Sequence, residues 1–184
     1  MANYVVIARF DEAKDEKIMQ ATSLITANAL SPWPPHITIA AYENLEESDL
    51  QALLEWAVEY CAGNKQFEIA MNSLSVLPPG GEHTDTAVVC LDPAHSKTLV
   101  DFYYGFHERF EDYCTGIGWF NSIKHGNPVI HCTIGIVQIT KLQQALQKAF
   151  DISGLFGNTN IVALEVYSYP CHLIKRFDLE ENDD

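Results

Sequence analysis

The chain has 184 residues, of which 47% are hydrophobic and 20% charged, a composition typical of a globular protein with a sizeable core. Its formal net charge of −14 disfavours binding along an extended nucleic-acid backbone, but not binding of a short RNA end or a small nucleotide in a locally positive pocket. Five cysteines without a CxxC pair indicate neither a disulfide framework nor a zinc site, and we expect buried free thiols in a reducing cytosol.

The first half of the chain predicts alternating strands and helices. YVVIARF is typical of a buried strand, and apolar residues at helical spacing predict a helix over residues 11–30. After the break SPWPP, the β-branched run ITIA predicts a second strand. Ser48 with Gln51 forms a capping-box pattern at the start of a second helix, which ends at Gly63. FEIAMNSLSVL then predicts a third strand, and PPGGEHTD a turn.

The second half of the chain repeats this order. TAVVCL predicts a strand, and Asp92-Pro93 predicts the start of an aromatic helix, because proline is favoured at the first helical position. The aromatic stripe of this helix continues to Tyr113 at helical spacing, which is typical of core packing. VIHCTIGIV predicts the next strand, and Thr140 with Gln143 repeats the capping-box pattern. NIVALEVYSY and CHLIKRFDL predict the last two strands.

The same unit therefore occurs twice, as a strand, a helix, a histidine-bearing strand, a capped helix and a further strand. We expect a single domain of two pseudo-repeats, at about residues 1–80 and 84–178, followed by an acidic tail at 179–184. The start MANYVVIARFDE lacks the basic and apolar regions of a signal peptide, and no run approaches membrane-spanning length. The expected location is the cytoplasm, without membrane association.

A histidine and a threonine occupy alternate positions in the middle strand of each unit. His36 and Thr38 would share one strand face with Tyr42, and His131 would share a face with Thr133. In a single strand such a histidine is usually a hydrogen-bonded, half-buried residue. Matching positions in two matching units favour a functional role. Two imidazoles can accept and donate protons near neutral pH, and two hydroxyl groups can bind the oxygens of a tetrahedral anion.

HITI and HCTI resemble the paired H-x-[ST]-hydrophobic signature of the two-histidine (2H) phosphoesterase superfamily, which includes the so-called 2′-5′ RNA ligases and the cyclic phosphodiesterases. The resemblance implies an α+β, bilobal, pseudo-twofold fold, with antiparallel sheets lining a central cleft and helices outside. It implies hydrolysis or reversible formation of a phosphodiester or 2′,3′-cyclic phosphate, without metal or cofactor. His36 and His131 would be the catalytic acid and base, in an order that the sequence leaves open. Thr38 and Thr133 would bind phosphate.

Five further residues are weaker candidates for substrate binding. Arg9 and Lys175 lie on predicted strands and could add positive charge to the cleft, or could be salt-bridged residues at its rim. Tyr42, Trp33 and Tyr169 could stack on a base, and packing in the core or at the rim is an equal alternative. The acidic surface is expected to raise the pKa values of the two catalytic histidines.

The sequence also bears on the size of the substrate. Some RNA-end-processing members of the superfamily carry a basic residue soon after the motif, where this chain has Ala40-Ala41 and Gly135-Ile136. Together with the negative charge, this favours a small nucleotide-like phosphodiester or a short RNA end, bound by a monomer. No HExxH array, Walker A loop or dinucleotide-binding glycine motif is present, so we expect no metal site. A catalytically silent nucleotide-binding or RNA-end-binding module on the same fold is the alternative.

Overall fold

The computed structural model describes residues 1–26, 33–78, 85–126 and 128–182. In these ranges the strands are β1 (Ala2–Phe10), β2 (Ile37–Leu45), β3 (Phe67–Leu77), β4 (Thr86–Pro93), β5 (Cys132–Gln138), β6 (Gly157–Ser168) and β7 (His172–Asp178). The α-helices are α1 (Glu12–Ile25), α2 (Glu47–Ala62), α3 (Lys97–Phe106) and α4 (Leu142–Phe150), and short 3-10 helices span Glu111–Tyr113, Gly116–Asn121 and Ile139–Lys141. None of these helices is long and apolar enough to cross a lipid bilayer.

The strands form one branched sheet in the order β2-β1-β6-β3-β4-β5, with every pairing antiparallel. β6 joins two lobes, because residues 157–161 pair with β3 whereas residues 161–168 pair with β1. β7 pairs with residues 163–168 of β6, on the edge that faces away from β1. One lobe therefore contains β2, β1, β6 and β7, and the other contains β3, β4 and β5. This architecture confirms the predicted α+β class with antiparallel sheets.

The first predicted pseudo-repeat gives α1 and β3 to the second lobe, and the second pseudo-repeat gives α3, β6 and β7 to the first lobe. α1 follows β1 in the chain but packs against β5 and α4. α3 packs against α2 through aromatic pairs, with ring centroids 5.3 Å apart for Tyr60 and Phe102. β3 pairs with β4, and β6 pairs with β1. This exchange of elements connects the two lobes. The boundaries of the pseudo-repeats near residues 80 and 84 stay a prediction.

β1 shows why the first apolar run has no polar face. Val6, Ala8 and Phe10 belong to the main core under the helices, and Val5 and Ile7 form a smaller cluster on the opposite face of the sheet. Both faces of the strand are therefore buried, as YVVIARF predicts. All five cysteines are thiols outside any disulfide, and four of them are buried, as expected.

Two helices begin near, but not at, the predicted residues. The capping box of α2 is formed by Glu46 and Asp49 instead of Ser48 and Gln51, so this helix begins earlier. α4 begins after a 3-10 turn and has no side-chain cap at its N-terminus. α1 ends at Ile25; the remainder of its predicted span and much of the predicted turn PPGGEHTD lie outside the described residues.

α3 begins later than Asp92-Pro93, the predicted start. Both of these residues are still paired with β3, so the local helix signal is overridden by the sheet. Ser96 is the actual N-cap, and its side chain accepts a hydrogen bond from the amide of Leu99 at 3.2 Å. The aromatic stripe also breaks before its predicted end, because Phe110 has a φ of 64°, which is incompatible with a continuing α-helix.

Both histidine-bearing strands contain a bulge at the same place. The residues on either side of Ile39 lie opposite consecutive residues of β1, so Ile39 is an extra residue in β2. The residues on either side of Ile134 likewise lie opposite consecutive residues of β4, which makes Ile134 an extra residue in β5. The two bulges follow Thr38 and Thr133 directly, so the repeat extends beyond the His-x-Thr motif to the pairing of the strands.

The 3-10 helix Gly116–Asn121 packs on the edge strand β2 at a distance that only glycine allows. A Cβ atom at Gly118 would lie 1.8 Å from the carbonyl oxygen of Ala41. The amide of Ile117 donates a hydrogen bond to Glu43 Oε1 at 2.9 Å and holds the same helix on the strand. Gly118 therefore sets how closely this segment approaches β2.

We expect Gly118→Ala to lower the free energy of unfolding by about 2 kcal/mol or more, because the added methyl group displaces the backbone on one side of this contact. Gly63→Ala is the matched control, since the nearest atom to a Cβ there would be 3.6 Å away, an ordinary van der Waals distance. Urea unfolding of both variants measures the difference. Equal stability of the two variants would contradict the close packing of this segment on β2.

Candidate active site

A cavity of about 1170 Å³ lies between the two lobes. His36 and Thr38 line it from the first lobe, and Thr133 lines it from the second. His131 immediately precedes β5, and its charge acts on His36 to lower the pKa of that ring. The backbone amide of His36 also donates a hydrogen bond to the Cys132 thiol, so the starts of β2 and β5 meet at the cavity. The structure therefore brings the two predicted His-x-Thr motifs together.

Equivalent hydrogen bonds orient the two histidine rings. Nδ1 of His36 lies 2.7 Å from the carbonyl oxygen of Pro34, and Nδ1 of His131 lies 2.7 Å from that of Val129. In both cases the carbonyl belongs to the residue two positions earlier. A carbonyl oxygen can only accept a hydrogen bond, so each Nδ1 carries a proton. In the neutral form of each ring, Nε2 is therefore the basic nitrogen.

The two rings differ in their surroundings even though their motifs are alike. Burial lowers the pKa of His36 to about 4, and the charges of Arg9 and His131 act in the same direction. The hydrogen bond to Pro34 and the charge of Glu165 oppose this shift without cancelling it. The expected upward shift is therefore wrong for His36, because loss of hydration outweighs attraction to the acidic surface. His36 is neutral at neutral pH.

Arg9 reaches from β1 to the peptide that precedes His36. Its Nε donates to the carbonyl oxygen of Pro35 at 3.0 Å, and its Nη1 donates to Glu165 Oε2 at 2.9 Å. Nη2 is paired with Asp15. Arg9 lines the cavity as predicted, but its charge is matched by two carboxylates. The sequence left open whether Arg9 adds positive charge to the cleft or is salt-bridged. In the structure, Arg9 both lines the cavity and forms salt bridges.

Asp15 and Glu165 are site residues that sequence reasoning missed. Burial raises the pKa of Asp15 to about 6 despite its pairing with Arg9. Glu165 is buried and also accepts hydrogen bonds from Tyr167 Oη at 2.9 Å and Arg176 Nη1 at 3.0 Å. A glutamate within the apolar run NIVALEVYSY was a usable signal, because a buried charge requires a partner. Asp15 gave no such signal, since acidic residues are common in the first turn of a helix.

Two of the three predicted aromatic candidates line the cavity. The ring of Trp33 lies 5.7 Å from that of His36 and 5.1 Å from that of Tyr167. Tyr169 also lines the cavity and is 60% exposed. Lys175, by contrast, does not line the cavity, and its ammonium group lies 5.0 Å from the centre of the Phe177 ring on β7. β7 pairs with the edge of β6 that faces away from β1, which explains the difference.

Tyr42 is fully buried in the core and does not line the cavity. The bulge at Ile39 reverses the alternation of side chains along β2, so that Thr38 and Ala41 line the cavity whereas Tyr42 points away from it. The predicted common face of His36, Thr38 and Tyr42 assumed an unbulged strand and is wrong for Tyr42.

His107 holds the backbone of this bulge in place. Its Nε2 donates to the carbonyl oxygen of Ile39 at 2.9 Å, and its Nδ1 pairs with Glu111 Oε2 at 2.5 Å. Burial acts to raise the pKa of Glu111, but hydrogen bonds from Ser122 and from the amide of Lys124 keep it below its ordinary value. Glu111 is therefore a carboxylate, and both ring nitrogens of His107 act as donors.

In the described part of the chain, the side chains grouped closely enough to hold a metal ion are those of His107, Glu111 and Cys114, whose ligand atoms lie within 4.8 Å of one another. All three residues are buried. Since both nitrogens of His107 donate hydrogen bonds, neither offers a lone pair to a metal ion in this arrangement. The group supports β2 and lies apart from the residues that line the cavity.

Comparisons with known proteins agree with this architecture. A family model described as the 2′-5′ RNA ligase superfamily matches residues 10–169. E. coli LigT complexed with NADP+ has a TM-score of 0.60 at 9% identity, over 97% of this chain and 98% of that chain. TT0787 of Thermus thermophilus has a TM-score of 0.59 at 11% identity, over 100% of both chains. Kluyveromyces marxianus Usb1 with uridine monophosphate has a TM-score of 0.55 at 12% identity, over 97% of both chains.

At such low sequence identities, the similarity to these solved structures shows a shared fold alone. A search of curated protein sequences finds no match to this chain.

The ring of His36 should stay neutral until the pH falls to about 4. Because its ordinary pKa is 6.5, the unfolded state binds more protons between pH 6.5 and 4, and the free energy of unfolding should fall as the pH falls through this window. His36→Gln should remove on the order of 2 kcal/mol of that fall. NMR titration of the ring and urea unfolding at about pH 7 and 4.5 measure both effects.

His95→Gln is the control for this prediction, because His95 is exposed. It should leave the pH dependence of unfolding close to that of the wild type. A His36 ring that titrates near its ordinary value would show that burial does not dominate its environment.

Proposed function

Because the chain belongs to the 2′-5′ RNA ligase superfamily, we propose that it is a metal-independent phosphoesterase acting on a phosphodiester or a 2′,3′-cyclic phosphate. The observation that carries this proposal is that His36, Thr38 and Thr133 line one cavity and that the charge of His131 reaches His36, with the same Nδ1 hydrogen bond on each ring. Two imidazoles held in one tautomer suit a reaction that needs a proton acceptor and a proton donor. In the reverse direction, the same groups form the diester.

The difference between the two rings supports an assignment of their roles. His36 is neutral at physiological pH, so its Nε2 is the base that takes a proton from the attacking water. The water oxygen bonds to phosphorus as the bond to the leaving oxygen breaks. His131 is then the acid that protonates the leaving oxygen. For synthesis the roles reverse: His131 takes the proton from the attacking hydroxyl group, the new P–O bond forms, and His36 protonates the oxygen that leaves as water.

Thr38 and Thr133 are the phosphate-binding residues of the proposal. Each lies two residues after a histidine, ahead of a bulge, and lines the cavity. Their hydroxyl groups donate to the non-bridging oxygens of the phosphate, where negative charge increases in the transition state. Such donors stabilise the transition state more than the ground state, so their removal affects turnover.

The proposed substrate is a small nucleotide-like diester or a short RNA end. The cavity volume of about 1170 Å³ accommodates a nucleotide, and Trp33 and Tyr169 offer aromatic surface for a base. The solved structures with this fold support a nucleotide ligand, since they include LigT complexed with NADP+ and Usb1 with uridine monophosphate. A net charge of −14 supports contact with a short end instead of a long strand.

Incubation with nucleoside 2′,3′-cyclic monophosphates in the presence of EDTA tests this function. We expect turnover to a nucleoside monophosphate that the chelator does not reduce. Binding without turnover would identify a silent binding module on this fold. Turnover that EDTA abolishes would identify a metal-dependent hydrolase and contradict the mechanism.

Replacement of the cavity threonines tests the role of their hydroxyl groups. Thr38→Val and Thr133→Val keep the size and strand preference of the side chain but remove the donor, so each should lower kcat by on the order of 10²-fold. Thr140→Val, at an exposed position outside the cavity, should leave kcat unchanged. Wild-type kinetics in both cavity variants would assign these threonines to strand packing.

The pH dependence of kcat/KM tests the assigned roles. The value should rise as His36 loses its proton, at about pH 4, and a reaction that also needs a protonated acid should slow again at higher pH. His36→Ala should lower kcat/KM by about 10²-fold or more and remove the acidic limb, and His131→Ala should remove the alkaline limb. Removal of the same limb by both substitutions would contradict separate acid and base roles.

A further inference from the structure

One wall of the cavity is formed by a single face of α1. The residues of this face recur at helical spacing along the helix and into its C-cap, and they combine polar and apolar side chains. They are Asp15, Ile18, Met19, Thr22 and Thr26. None of them belongs to the His-x-Thr motifs.

Two polar atoms on this wall are buried without a hydrogen-bond partner in the described part of the chain. They are Oδ1 of Asp15 and Oγ1 of Thr26. The other carboxylate oxygen of Asp15 is paired with Arg9. An unsatisfied buried acceptor is costly, and a donor on a bound molecule would satisfy it. Oδ1 of Asp15 is thus suited to accept a hydrogen bond from a hydroxyl or N–H group.

Apart from the proposed acid His131, the cavity holds no surplus of positive charge. Among its lining residues in the described ranges, Arg9 and Asp15 are the ones charged at neutral pH, and they form an ion pair. Arg9 is also paired with Glu165, and burial keeps His36 neutral. Proteins usually bind phosphate groups with arginine or lysine side chains, and this lining offers no such cation for a second phosphate.

We propose that Asp15 is a specificity-determining residue, which restricts the cavity to substrates whose negative charge lies on the reacting phosphodiester alone. The inference rests on the proposed function for the place of that phosphate. A second phosphate near α1 would meet the Asp15 carboxylate and be repelled. An uncharged group with a hydroxyl or N–H donor would bind Oδ1 and pack on Ile18 and Met19. The substrate class is a nucleoside-like molecule with one phosphodiester and no further phosphate.

Two probes that differ in a single phosphate test this proposal. Adenosine 2′,3′-cyclic phosphate carries only the reacting diester, and its 5′-phosphorylated derivative adds a second anionic group. At about pH 8, where the Asp15 carboxyl is ionised, wild-type kcat/KM should favour the first probe by about tenfold or more. Asp15→Asn keeps an oxygen for Arg9 but removes the charge, and should reduce this preference to about threefold or less.

Glu16→Gln is the matched control, because it removes the same charge from the neighbouring exposed position of α1. Its preference should equal that of the wild type. Salt provides a test that needs no variant, since raising the ionic strength from about 0.02 M to 0.5 M should weaken the preference of the wild-type protein.

Calorimetric binding of adenosine 3′-phosphate and adenosine 3′,5′-bisphosphate separates this inference from the proposed function. If neither cyclic probe is turned over but the bisphosphate binds more weakly and Asp15→Asn removes the difference, the proposed function fails and the inference stands. If the wild type accepts both members of each pair equally, the inference is overturned whatever the turnover. A preference that Asp15→Asn leaves intact, or that salt does not weaken, also overturns it.

Discussion

The guanidinium group of Arg9 connects four parts of the chain on which the site depends. It donates to the carbonyl of Pro35 directly before His36, and it pairs with Asp15 of α1 and Glu165 of β6 while itself extending from β1. These contacts fix where the His36 segment leaves the sheet and where α1 meets the cavity. Arg9 and Glu165 are largely buried, so loss of one partner would leave an unpaired charge in a medium that solvates it poorly. Because Asp15 and Glu165 match the charge of Arg9, the proposed recognition of phosphate depends on hydroxyl groups and imidazoles.

The two halves of the site are equivalent in backbone and different in environment. Each has a histidine bonded through Nδ1 to the carbonyl two residues earlier, then a cavity threonine, then a bulge. Around this common frame the neighbours diverge. His36 lies beside Trp33 and Arg9, and its Nδ1 hydrogen bond is partly buried, whereas that of His131 is exposed. Two identical side chains can therefore take opposite proton-transfer roles. The asymmetry comes from burial and nearby charge and not from the motif.

The bulge in β2 is supported from outside the cavity. His107 satisfies the carbonyl of Ile39, and Glu111 binds the other nitrogen of that ring. Gly118 also lets a 3-10 helix lie against the backbone of Ala41. These contacts come from segments far away in the chain, and they hold a local irregularity that Ile39 and its neighbours would not adopt alone. The position of Ala41, instead of Tyr42, at the cavity follows from this bulge.

The sequence by itself determined the order and type of the elements and the pairing of the His-x-Thr motifs. The period of the hydrophobic residues and the duplication of the motif both depend only on the spacing of residues along the chain. Tertiary structure decided what depends on strand partners and burial. Asp92-Pro93 carries a local helix signal, yet pairing with β3 keeps it in a strand. The bulge at Ile39 moved Tyr42 from the expected cleft face into the core, since register is set by the neighbouring strand. The low pKa of His36 and the pairing of Asp15 with Arg9 arise from residues brought together only by folding, which spacing along the chain does not encode.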